Sequence, residues 1–166
     1  MNLGNGYKPP LCYNTNCPGY VHTNPFVALG APYEQISQTD GPQHSETLGV
    51  TQDPRSGDWL FLWEEGDIPV GYFPKHLFPI LGNGPATRIE WGGETYNPLH
   101  NLPMPPMGSG HFPRDGPGKF SYVSRIRVVD ANRQLIDAPL DLETIADLPQ
   151  CYGIEDPRVN YGGASW

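Results

Sequence analysis

Apolar and polar residues alternate in short bursts along this chain and do not recur every three or four positions. The cleanest case is FSYVSRIRVVD, residues 120–130. Tyr122, Ser124, Ile126 and Val128 fall on one side of an extended segment, and Val123, Arg125, Arg127 and Val129 on the other. Similar strand-like runs are expected at 20–23, 26–29, 46–52, 59–63, 68–73 and 86–91. Between two of them stands Asp53-Pro54-Arg55-Ser56-Gly57-Asp58. Pro presets φ there and Gly supplies a positive φ, so 46–52 and 59–63 are expected to form a hairpin. Two short helices are candidates. PKHLFPIL, residues 74–81, has Pro74 at its first turn and Pro79 limiting its length; LDLETIADL, residues 140–148, is the second. The polar stretch 32–45 reads as a long connection, and 97–118 is too dense in Pro and Gly for regular structure. Many short strands separated by turns predict an all-β fold, an antiparallel β-sandwich of two sheets.

Length and composition narrow this picture. A chain of 166 residues suits a single domain, 1–166, with a real core. Its 20 Gly and 20 Pro would suit disorder, but four Trp, nine Tyr and six Phe supply apolar area that offsets the entropy of ordering. The net charge of −8, with ten basic residues scattered among eighteen acids, leaves no cationic stripe for a nucleic-acid backbone. No apolar run reaches the roughly eighteen residues of a membrane span. The opening MNLGNGYKPP shows neither the basic nor the apolar region of a signal peptide. Three cysteines, Cys12, Cys17 and Cys151, make an odd count, which in a secreted chain leaves one thiol without a partner.

Candidate chemistry concentrates in two places. RIEWGGETY, residues 88–96, sets Glu90 and Glu94 around Trp91-Gly92-Gly93. A glycine pair in a strand marks a bulge or a close backbone approach. One extra residue there turns Glu94 to the face opposite Glu90, toward the side of Trp91. Taken alone, an exposed glutamate on a strand edge is the plainer reading, since most glutamates are exposed. The second place is MGSGHF, residues 107–112, with Ser109 and His111 in a glycine-rich loop. Adjacency is not a triad, and no GxSxG elbow is present. No helix is expected after GSGHFPRDG, which removes the phosphate-loop reading. A shaped loop beside a cleft remains, its backbone N–H groups able to bind substrate. No metal is expected: Cys12 and Cys17 lack a second ligand pair at suitable spacing, and the five histidines are scattered.

Considered together, CYNTNCPGYV, DPRSGDWLFL, VGYFPKHLF, IEWGGE, MGSGHF, FSYVSRIRVVD and CYG occur in an order that resembles the neprosin family of glutamic peptidases, over most of the chain. The resemblance implies a β-sandwich and two catalytic glutamates on facing strands. The second of these lies in the segment matching WGGE, which is Glu94 here. Two carboxyls that share a site do not both ionise easily. The ionised one would activate water against the peptide carbonyl, and the protonated one would donate to the developing oxyanion. Trp91, Gly108, Ser109, Gly110 and His111 are then the expected substrate-binding residues, and Cys12 and Cys17 an expected disulfide loop. The family likeness further implies a peptide substrate, cleavage next to proline, acid-pH activity, a secreted location and no cofactor.

In the family the first catalytic glutamate precedes the segment that NGYKPP resembles, and a later cysteine pairs with the one matching Cys151. Residues 1–166 are therefore expected to form an internal piece of the domain, weak or inactive by itself, with Cys151 lacking its partner. Glu34, Glu46, Glu64 and Glu65 are substitutes for the first glutamate only in being carboxylates. The reading from a different class is a non-catalytic β-sandwich module. Trp59, Trp63, Tyr72 and Trp91 would then offer aromatic faces to a polysaccharide or a Pro-rich peptide.

Overall fold

Strands account for all regular structure longer than a single turn in the computed structural model, which describes residues 18–63, 68–95 and 106–154. The described residues are all-β, with one sheet of four strands and one of two, both antiparallel. It divides into two compact units, one formed by residues through Glu34 with Ser45–Ile89, the other by Gln35–His44 with residues from Glu90 onward.

The first unit is organised by the expected hairpin. β2 (Leu48–Gln52) and β3 (Trp59–Trp63) pair in register from Leu48 opposite Trp63 to Gln52 opposite Trp59. The turn between them is tied by side chains as well as backbone. The Asp53 carboxylate accepts the Arg55 N–H at 3.1 Å and the Ser56 hydroxyl at 3.1 Å, while Gly57 takes φ 78°. Asp58 accepts the Lys75 N–H at 2.9 Å, and the Trp59 indole donates to the Leu81 carbonyl at 3.1 Å. The hairpin turn thus fastens residues 75–81 as well as itself.

β4 (Ile68–Phe73) lies between β3 and β1 (Val21–His22), giving the order β1-β4-β3-β2. A proline inside a central strand breaks the ladder, because it has no N–H to donate. The sheet absorbs Pro69 at an irregularity: Leu62 opposes Pro69 and Phe61 opposes Gly71, so Val70 is the extra residue. The Val70 carbonyl then receives the N–H groups of Thr23 at 3.0 Å and Asn24 at 3.2 Å. Val70 is wholly buried. Beside it the Tyr20 ring packs on Phe73 with centroids 4.7 Å apart, and Phe73 meets Phe78 edge-on.

In the second unit β5 (Arg127–Val129) pairs with β6 (Leu135–Asp137). The Asp130 carboxylate holds the connecting turn, accepting the N–H groups of Asn132 and Gln134, each at 2.8 Å. The polar connection enters this unit at Asp40, whose N–H donates to the Gly118 carbonyl at 3.1 Å and whose carboxylate lies 3.6 Å from the Lys119 ammonium.

Several expected elements are shorter or missing. The run 120–130 forms a continuous strand only over Arg127–Val129, with Tyr122 in an isolated bridge, because Arg125 takes φ 52°, which breaks an extended chain. Residues 26–29 form turns, and 86–91 pair with no strand among the described residues. The helix expected over 74–81 is one 3₁₀ turn, Lys75–Leu77, ended by extended backbone at Phe78 ahead of Pro79. The helix expected at 140–148 is absent. Leu140 is 74% and Ile145 50% exposed, so no buried apolar stripe holds it, and nine residues do not sustain a helix unaided.

Candidate functional site

The segment holding the two glutamates departs from the expected strand. Residues 88–95 are irregular, so no ladder exists in which Gly92-Gly93 could be a bulge. Trp91 is half-buried, and Glu90 and Glu94 are both exposed. Neither is a free carboxylate; each has an interaction partner. Cys12 and Cys17 lie outside the described residues, and Cys151 carries an exposed free thiol.

The glycine-rich loop has definite geometry. Gly108 and Gly110 adopt φ 77° and 83°, in the left-handed region that only glycine occupies at little cost. Ser109 Oγ accepts the His111 backbone N–H at 3.3 Å, so its hydroxyl shapes the loop and is engaged with backbone and not with the imidazole. His111 is half-buried, while Gly108, Ser109 and Gly110 are exposed. The loop ends in a 3₁₀ turn, Pro113–Asp115, with Pro113 buried. Asp115 Oδ2 accepts the Phe112 N–H at 3.0 Å and lies 3.4 Å from His111 Nδ1. The Arg114 guanidinium sits 4.5 Å above the Phe112 ring.

Sequence reasoning passed over Asp115. The signal was present: a histidine and an aspartate four apart, flanking Phe-Pro, with the carboxylate at the third position of a turn where it caps a backbone donor. It also passed over Tyr20, whose shielded hydroxyl has no hydrogen-bond partner among the described residues and whose titration is pushed up by burial.

The aromatic residues of the module reading sit mainly in the first unit. Trp59 and Trp63 are half-buried and use their indole N–H groups internally, Trp59 on Leu81 and Trp63 on the Glu46 carboxylate at 2.5 Å. Among the described residues no cluster of three or more His, Cys, Asp or Glu is placed to hold a metal ion, and no helix is long and apolar enough to cross a membrane.

An all-β chain, with two antiparallel sheets among the described residues and its polar chemistry on loops between short strands, is the class of protein these observations define. The family model for neprosin matches residues 2–164. The chain belongs to the neprosin family.

Proposed function

We propose that this protein is a glutamic peptidase whose chemistry centres on Glu94, acting at acid pH on peptide bonds next to proline. The observation that carries the reading is the family match over residues 2–164, which includes the Trp91-Gly92-Gly93-Glu94 segment. An exposed carboxylate on irregular backbone is accessible to an extended peptide, and Trp91 beside it offers an apolar face for a proline ring. The loop of Gly108, Ser109 and Gly110 supplies backbone donors for the peptide carbonyls, and His111 at its end supplies a side chain. In this scheme water attacks the scissile carbonyl, one carboxylate taking its proton while a carboxylic acid donates to the oxyanion.

The chemistry needs a second carboxyl. Glu46 is committed to the Trp63 indole, which leaves it poorly suited to that role. The location is proposed to be extracellular, where a Cys12–Cys17 disulfide would persist. The test is cleavage of a proline-containing peptide at about pH 3 to 5 by the wild type and by Glu94→Gln, a change expected to cost about 10²- to 10⁴-fold in rate. Cleavage that survives Glu94→Gln unchanged would overturn the assignment.

A further inference from the structure

The 108–111 loop ends against a corner that is held from several sides, and this corner has no role in the scheme above. Pro113 is buried, the only residue of this unit to be so among the described residues. Gly153 forms its seat: a Cβ there would stand 2.9 Å from Phe112 Cδ1 and 3.2 Å from Pro113 Cδ, closer than packed carbons tolerate. Arg114 covers the Phe112 ring, and Asp115 Oδ2 accepts the Phe112 N–H at 3.0 Å. The same oxygen faces His111 Nδ1 at 3.4 Å. One carboxylate oxygen therefore engages both the backbone hinge of the loop and the ring of its last residue.

We propose that Asp115 is a positioning residue for peptide binding, orienting His111 so that Nδ1 carries the proton toward the carboxylate and Nε2 is left to meet a substrate peptide group. An acceptor at Nδ1 decides which ring nitrogen bears hydrogen in the neutral imidazole and fixes the ring plane at the same time. The Phe112 bond anchors the backbone on which that ring is carried. Gly108 and Gly110, at positive φ, let the preceding loop fold close to the bound chain. Asp115 touches no reacting atom in this arrangement; it acts through His111. The activity arm of the proposal rests on the peptidase reading above, while its structural arm does not.

Two measurements test it. With the imidazole neutral, ¹⁵N shifts of the His111 ring should report the Nδ1–H tautomer in the wild type, a shift to Nε2–H in Asp115→Ala, and the wild-type pattern in Asp115→Asn, whose amide oxygen still accepts. In peptide cleavage, Asp115→Ala should raise KM by about 3- to 10-fold, the worth of one ordinary hydrogen bond, with kcat nearly unchanged and Asp115→Asn restoring most of the loss. A tautomer that does not respond to Asp115→Ala overturns the proposal. So does a fall in kcat at constant KM. If Asp115→Ala does not fold, His111→Phe, which keeps the Phe112 cap, must reproduce the KM rise, and its failure to do so sinks the idea. Should the wild type cleave no peptide, the peptidase reading fails and the tautomer measurement still decides the role of Asp115.

Discussion

Replacing Gly71 with alanine puts the packing of the four-stranded sheet to a sharp test. Gly71 is buried in β4, opposite Phe61 on one side and His22 on the other. A Cβ built there would overlap the Val21 carbonyl oxygen and stand 2.5 Å from the Tyr20 hydroxyl and 2.6 Å from Tyr20 Cζ. Tyr20 can swing aside at the cost of its contact with Phe73. The Val21 oxygen cannot, because it belongs to the backbone of the paired strand β1. The methyl therefore fits only if β1 moves off β4. Overpacking of this kind costs about 1–3 kcal/mol. The reduced freedom of the unfolded chain returns about 0.4–1 kcal/mol, and with β1 disturbed a net loss of about 2 kcal/mol is expected. At about 2–4 °C per kcal/mol for a chain of this size, Tm should fall by roughly 4–8 °C. Two controls separate the causes. Gly84 has nothing within 4 Å of a built Cβ, so Gly84→Ala should be neutral or slightly stabilising. Gly30 is equally open but holds φ 80°, so Gly30→Ala isolates the backbone cost, on the order of 1 kcal/mol. Thermal unfolding of the three variants side by side is the assay. Gly71→Ala melting with Gly84→Ala would show that β1 does not press on β4 as described.

The hairpin turn should be sensitive to acid. The Arg55 N–H, then the Ser56 hydroxyl, hold the Asp53 carboxyl below its ordinary range, and the Lys75 N–H does the same for Asp58. A carboxyl whose folded value is depressed stabilises the fold while ionised, above the unfolded value of about 3.9, and that contribution disappears as pH falls through the lower folded value. Tm measured against pH should therefore decline more steeply below about pH 4 in the wild type than in Asp58→Asn; parallel curves would refute the linkage. Tyr20→Phe removes a shielded hydroxyl without a partner among the described residues, so it should leave stability unchanged or raise it by up to about 1 kcal/mol, read by urea denaturation. A loss of 1 kcal/mol or more would mean that the hydroxyl does have a partner. These variants lie away from Glu94, and the Glu94→Gln assay is read independently of them.

Local chemistry alone determined the β2–β3 hairpin and the span of β4. Alternation set the two strands, and Asp53, Pro54, Ser56, Gly57 and Asp58 carry in their own side chains and φ preferences nearly all that the turn needs. Where a strand depends on a distant partner, alternation was insufficient. Residues 86–91 and 120–126 alternate as well as β2 does, yet no long ladder forms there among the described residues, and Arg125 turns left-handed in the middle of the second run. Pro69 reads as a strand breaker, and only the extra residue Val70, with Thr23 and Asn24 bonded to its carbonyl, makes its central position tolerable. The same division holds at the candidate site. The order of short motifs along the chain pointed to Glu94 and the 108–111 loop, since family likeness is written in sequence. That Asp115 serves both His111 and the Phe112 N–H, and that Gly153 seats the Phe112–Pro113 corner, depended on folding. Gly153 meets that corner from some forty residues away in sequence, a separation no local preference spans, and close packing makes such a meeting specific.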